Sequence, residues 1–364
     1  MKTTASRGRR GAVALIAAGV LAVSLTACGG SGGNGESGSE DIGISIITKT
    51  ASNPFFLAMS EGAKEEADKL GVTLTTAAGK EDGDEPSQVT AVENAISRGD
   101  KGIIIAPNGP SVLDAIQKAR DAGIYVIAVD TPPDPADAVD ITYATDNRLA
   151  GQLIGQWTAA QLDGGDAVIG MLDLFADKIV TVDNNRDQGF LEGMGIDVND
   201  PDKIGDEAPT GSYTGGAGGT YTIVGNEPSQ ATEEGGRTAM ETLLSKNENI
   251  NVVYTINEPA AYGAYQALQA AGKEKDVLLV SVDGGCTGVD YVKQGILGAT
   301  SQQYPLKMAT LSMEAIVELV KTGTKPQTSE GLDFFNTGVE LVTDKPVDGL
   351  ASIDTTEGSQ VCWG

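Results

Sequence analysis

Short runs rich in isoleucine and valine alternate along this chain with stretches whose apolar residues recur every three or four positions. That alternation limits the fold more than any other feature. The runs are Ile42–Thr48, Gly102–Ala106, Ile124–Asp130, Ala167–Asp173, Val252–Asn257 and Val277–Asp283. Near-continuous apolarity over so few residues is what strands covered on both faces require. After the first run, Phe56, Met59, Ala63, Ala67 and Leu70 fall on one helical face. Asn53 stands where an N-cap belongs, Pro54 in the first turn and Gly71 at the stop. Further helices are predicted over Glu85–Arg98, Ser111–Ala122, Asn147–Leu162, Gln230–Lys246, Pro259–Ala271 and Leu306–Lys321.

Repeated strand–helix units predict an α/β fold with mostly parallel sheets and helices on both faces. Two series, before and after about Asp146, predict two doubly wound lobes, and the length is too great for one small core. Gly195 to Val224 is rich in Gly, Pro and Asp, with glycines clustered over Gly215–Gly219. This stretch is expected to be an inserted loop. A phosphate-binding loop is disfavoured, because no predicted strand feeds the glycines and no lysine follows them.

Asp130, Asp173, Asn257 and Asp283 each close an apolar run, and Asn108 lies just past another. Singly, each suits a turn or cap. Together they would line the crevice beyond the carboxyl ends of the strands, where open α/β sheets bind ligands. Carboxylates and amides in such a crevice suit a ligand rich in hydroxyl groups. The adjacent pair Phe55 and Phe56 sits at the first strand-to-helix junction. Neighbouring helical positions point about 100° apart, so one ring can face the core while the other faces the crevice; the alternative is that both are core.

The N-terminus carries Lys2, Arg7, Arg9 and Arg10, then an apolar stretch from Gly11 to Val23. That stretch is too short to span a bilayer, and the layout is that of a secretory signal peptide. Leu25-Thr26-Ala27-Cys28 resembles the bacterial lipobox, which implies lipid on Cys28. The Gly/Ser/Glu segment that follows reads as a flexible tether. The whole chain has 25 Lys and Arg against 51 Asp and Glu, a net charge of −26. Loss of the four leader cations makes it about −30, which repels nucleic acid and anionic lipid. There is no histidine, so the commonest general base and metal ligand is missing. Neither catalytic residues, a metal nor a cofactor is expected. Of three cysteines, Cys286 and Cys362 remain after Cys28. Outside the cytoplasm they are expected to form a disulfide, two unpaired thiols being the alternative.

With those residues in place, the chain resembles the type I periplasmic sugar-binding proteins of ABC importers. It resembles the ribose-binding type, and within that type is most similar to the fructose-binding branch. The resemblance rests on an ordered set: Ile47-Thr48-Lys49-Thr50 with Asn53-Pro54-Phe55-Phe56, Ala128-Val129-Asp130-Thr131-Pro132, Thr145-Asp146-Asn147, Arg186-Asp187-Gln188-Gly189-Phe190, Thr255-Ile256-Asn257-Glu258-Pro259, Val282-Asp283-Gly284-Gly285-Cys286 and Ser301-Gln302-Gln303-Tyr304-Pro305. It implies two doubly wound parallel-sheet lobes joined by a three-strand hinge, closing on one monosaccharide. The corresponding boundaries are 1–27 for the signal peptide and 28–41 for the tether. The N-terminal lobe takes 42–145 plus 303–335, and the C-terminal lobe 146–302 plus 336–364, with the inserted loop at about 195–224.

The resemblance also implies sugar contacts from Asn53, Phe55, Phe56, Asp130, Arg186, Asn257, Asp283 and Gln303. Thr131, also expected in the contact set, stands where the ribose pattern has arginine, and Val282 where it has an aromatic residue. These departures favour fructose over ribose. Asp173 is the residue expected to supply a compensating contact. A buried Arg186 must be neutralised by Asp130 or Asp283, since a sugar carries no charge. The implied partners are a monosaccharide, an importer permease and, through Cys28, the outer face of the cell membrane, with the protein a monomer. Competing readings are a receptor that senses a sugar or autoinducer, and a surface glycosidase built on paired carboxylates.

Overall fold

The structure, a computed structural model, describes residues 42–364. The signal peptide, Cys28 and the tether expected over 28–41 lie outside the described residues. The chain begins with β1 (Gly43–Thr48), α1 (Pro54–Leu70), β2 (Thr73–Ala78), α2 (Glu85–Arg98), β3 (Gly102–Ile105), α3 (Leu113–Asp121), β4 (Tyr125–Val129) and β5 (Ile141–Ala144). It continues through α4 (Asn147–Gln161), β6 (Ala167–Asp173), α5 (Thr181–Met194), β7 (Thr210–Tyr213), β8 (Gly219–Pro228), α6 (Glu233–Lys246), β9 (Val252–Thr255), α7 (Glu258–Ala271), β10 (Leu278–Asp283), α8 (Cys286–Gln294) and β11 (Ala299–Gln302). It ends with α9 (Pro305–Thr322), β12 (Phe335–Asn336), β13 (Glu340–Val342) and α10 (Thr355–Val361).

Two sheets result. The first has the order β12-β5-β4-β3-β1-β2, with every pair parallel. The second has the order β13-β11-β10-β9-β6-β8-β7, parallel except where β13 and β7 pair antiparallel at its two edges. The chain therefore passes between the sheets three times: from β5 to α4, from β11 to α9, and from β12 to β13. Each sheet buries apolar side chains on both faces. Ile44, Ile46, Ile104 and Ile127 pack under α1 and α9, whereas Ile47, Ile103, Ile105 and Val126 pack under α2 and α3. Among the described residues, no helix is long and apolar enough to cross a membrane.

The stretch 195–224, expected as an inserted loop, contains β7 and the first half of β8. Its glycines make the hairpin turn between them, and β8 pairs in parallel with β6, so the segment extends the second sheet. Neither strand stands out in the sequence, because the only buried apolar residues are Tyr213 in β7 and Tyr221 and Ile223 in β8, too few for a clear apolar run.

α5 lacks the apolar stripe of an amphipathic helix. Asp183, Asn184, Arg186, Asp187 and Gln188 are all buried in it. Interlocking glycines let it press against α4. A Cβ at Gly151 would stand 2.2 Å from the Arg186 carbonyl oxygen, and one at Gly189 would stand 2.3 Å from the carbonyl of Arg148. Backbone-to-backbone packing of this kind fixes the height of Arg186 in the lobe.

Candidate functional site

The strand ends and helix starts of the two lobes face each other across a small cavity with about 30 Å³ of free volume. The first lobe contributes Lys49, Asn53, Phe55, Phe56, Asp82 and Asp130. The second contributes Leu174, Val182, Arg186, Ala231, Ile256, Asn257 and Asp283.

Local structure aims these side chains. Asn53 caps α1 by accepting a hydrogen bond from the Phe55 amide at 2.9 Å, and Pro54 occupies the first turn. The cap sets the two rings side by side, edge to face at 5.2 Å. Both rings are buried within the first lobe's core and both line the cavity. Asn257 caps α7 in the same way, accepting from the Ala260 amide at 3.1 Å. Asp130 and Asp283 end their strands at φ 66° and 145°, uncommon for residues other than glycine, although aspartate tolerates the first better than most, and concentrated at functional sites. Gly284 permits the second of these turns: its φ is +67°, and a Cβ there would stand 2.3 Å from Cβ of Gln302.

Charge is concentrated at the centre. Arg186 is 4% exposed. Its Nε donates to Asn147 Oδ1 at 2.8 Å and its Nη1 to the Ile256 carbonyl at 2.9 Å. Its Nη2 lies 3.8 Å from Asp130 Oδ1, and its Nη1 lies 4.0 Å from Asp283 Oδ1. Lys49 Nζ stands 3.8 Å from Asp130 Oδ2. These separations neutralise charge yet exceed hydrogen-bond reach, so the carboxylates keep acceptor capacity for a third party. Burial pushes the Asp283 carboxyl up, and Arg186 holds it back. Behind it, Glu258 accepts from the Gly284 amide at 2.8 Å and from the Thr300 hydroxyl at 2.8 Å. Burial also pushes Glu258 up, with the charge of Asp283 adding to the effect. Burial raises Asp82 as well, with Lys49 opposing.

Three residues expected at the site do not line the cavity. Thr131 donates its hydroxyl to Asp130 Oδ2 at 2.7 Å, and Gln303 donates Nε2 to Asp283 Oδ1 at 3.0 Å. Both orient a cavity carboxylate. Asp173 is a correction. Its side chain turns into the second lobe, where Asn226 Nδ2 donates to it at 2.8 Å and to Asp187 at 3.1 Å. The next residue, Leu174, reaches the cavity instead, because successive strand positions face opposite sides. Lys49 and Asp82 were missed as site residues. Lys49 lies in the Ile47–Thr50 motif, but Asp82 follows the polar edge strand β2, with no apolar run to flag it.

Asp173, Asp183 and Asp187 form a buried acidic group. Burial, then the charge of a neighbouring aspartate, raises Asp173 and Asp183 well above the carboxylate range, and Asp187 is pushed up to about 8. Raised folded-state values mean that the native protein holds protons which the unfolded chain has released above pH ~4. Stability therefore falls as pH rises through the window up to about 8. The ligand-free protein is expected to melt higher at pH 5.5 than at pH 8, by roughly 5 °C or more. A melting profile that is flat or rises with pH contradicts protonated aspartates here.

Residues 44–325 match the family model of the periplasmic binding protein domain. The chain belongs to that family. It is 28% identical over 292 residues to the ribose import binding protein of Salmonella typhimurium, covering 80% of this chain and 88% of that one. It is 29% identical over 287 residues to the D-apiose import binding protein of Actinobacillus succinogenes, covering 77% and 83%. An ABC transporter solute-binding protein of Agrobacterium vitis, solved with bound D-fucose, superposes with a TM-score of 0.71 at 25% identity, covering 88% of this chain and all of that one. The two lobes and their largely parallel sheets are those of the type I periplasmic binding protein fold.

Proposed function

We propose that the protein is the extracytoplasmic capture component of a sugar importer, and that it holds one monosaccharide between its lobes without breaking a bond in it. The observation that carries this reading is the placement of Arg186. It is buried between Asp130 and Asp283 at 3.8 and 4.0 Å, in a cavity walled by Phe55 and Phe56. Hydroxyl groups placed among these charges would donate to the carboxylates and accept from the cations, making the strong charge-assisted kind of hydrogen bond. The ring's C–H face would pack on the aromatic pair. A sugar touching both lobes stabilises the shut form over the open one, and this drives hinge closure.

Fructose is the first candidate, on the two departures from the ribose pattern at Thr131 and Val282. Lipid on Cys28 would hold a monomeric protein at the outer face of the membrane, beside its permease. The relatives named above are solute-binding proteins rather than enzymes, and Cys286, joined to Cys362 in a disulfide, is not a free nucleophile.

A thermal-shift screen over fructose, ribose, allose, apiose, galactose and fucose is expected to raise the melting temperature with at least one sugar. Asp283→Ala is then expected to weaken that sugar's binding by about 2–5 kcal/mol in calorimetry, the cost of stranding a buried partner. A panel with no shift overturns sugar capture; unchanged affinity in the variant removes Asp283 from the site.

A further inference from the structure

The loop between β2 and α2 carries Asp82 into the cavity wall beside Lys49. Asp82 Oδ1 is sealed from solvent and accepts no hydrogen bond among the described residues. The other two cavity aspartates differ: Asp130 is served by the Thr131 hydroxyl and Asp283 by the Gln303 amide. A sealed carboxylate oxygen without a donor is costly, and native proteins rarely leave one so.

The loop is not free to turn this oxygen outward. Buried Asn108 accepts from the Gly83 amide at 2.9 Å and donates to the Lys49 carbonyl at 3.1 Å, which ties the loop to the end of β1. Asp84 caps α2 by accepting from the Ser87 amide at 3.2 Å. Gly83 and Asp84, the two residues that follow Asp82, are therefore fixed in place, while Asp82 Oδ1 stays without a donor.

The opposite lobe reaches over the same loop. Lys178, on the segment between β6 and α5, donates to the Gly83 carbonyl at 3.4 Å and lies 3.7 Å from Glu85 Oε1. Its ammonium sits 4.3 Å above the ring of Phe175. Gly83 has to be glycine for this contact: its φ is +87°, and a Cβ there would stand 2.6 Å from the lysine nitrogen.

We infer that Asp82 is a ligand-contacting residue which takes a hydroxyl of the captured sugar, and that Lys178 over Gly83 and Glu85 is a catch made only when the lobes are shut. The inference rests on the sugar-capture reading and extends it. One short loop senses the occupant through Asp82 and holds the far lobe through Gly83 and Glu85. The class of ligand is a polyol with a hydroxyl directed away from the Arg186 end of the cavity towards Lys49 and Asp82.

The test uses the monosaccharide that gives wild type its largest thermal shift in the panel above. Asp82→Ala removes a stranded acceptor from the empty protein, so its ligand-free melting temperature is expected to stay the same or rise while its affinity falls at least tenfold. A purely structural aspartate would lower the melting temperature and leave affinity alone. Lys178→Met keeps the packing over Phe175 but removes the charge. It is expected to speed sugar dissociation severalfold in stopped flow, to leave association unchanged and to lose the salt dependence of dissociation. Unchanged affinity in Asp82→Ala overturns the ligand contact, and unchanged dissociation in Lys178→Met overturns the catch. If Asp283→Ala loses the sugar while both of these variants retain it, this inference fails and sugar capture stands. If wild type binds none of the panel, the capture reading fails and this inference with it.

Discussion

Arg186→Met is expected to lose about 3–5 kcal/mol of stability, the usual result of removing one partner from a buried ion cluster. Sugar affinity should fall roughly thirtyfold to several-thousandfold. Methionine fills most of the volume but leaves Asp130 and Asp283 facing the cavity with only Lys49 nearby, at 3.8 Å from Asp130. It also strands the Ile256 carbonyl and the Asn147 amide oxygen, which accept from the guanidinium. The loss should depend on pH in a set direction. Arg186 holds the Asp283 carboxyl down against its burial. Without the arginine that carboxyl keeps its proton to higher pH, so the deficit should be larger at pH 8 than at pH 5.5. Arg186→Lys should restore charge but not both hydrogen bonds, since an ammonium lacks the planar fork. Urea titrations at the two pH values and calorimetry read these effects. A methionine variant as stable and as tight-binding as wild type would remove Arg186 from the centre of the site.

The second large effect concerns the C-terminus. Cys286, at the start of α8, is bonded to Cys362 just beyond α10, across a sequence separation of 76. Replacing both by serine is expected to cost about 4.5 kcal/mol, the value for freeing a loop of that length in the unfolded chain. Function should suffer too, because the bond tethers Trp363. That residue's carbonyl accepts from the Cys286 amide at 2.9 Å and its indole donates to the Gln303 carbonyl at 2.9 Å. Its ring stands edge to face with Phe55 at 5.3 Å. A loosened tail would relax one wall of the cavity and the residue that orients Asp283. Denaturation of the double variant, and of wild type with and without reductant, checks the stability term. Trp363 fluorescence with and without sugar checks the link to the site. Equal stability of variant and unreduced wild type would contradict it.

Local features of the fold were legible in the sequence. Asn53, Pro54 and Gly71 mark the limits of α1 because capping is local chemistry, settled within three or four residues. Asp130 and Asp283 were visible as polar ends of apolar runs. Arg186 was visible only through the family resemblance, since α5 has buried polar residues where a helix usually shows an apolar stripe. β8 was lost in a glycine-rich stretch, for its inward positions are few and its partner β6 lies far away in the chain.

By itself the sequence determined the α/β class, the two lobes, the caps and the strand-end carboxylates, because periodicity and capping act over a handful of neighbouring residues. Only the tertiary structure decided that Asp173 turns away from the cavity while Asp82 and Lys49 enter it. It alone showed that Arg186 lies near both Asp130 and Asp283 rather than one of them, and set Lys178 over Gly83. Those outcomes depend on which segments distant in the chain come within a few ångströms of one another, and no local pattern encodes that distance.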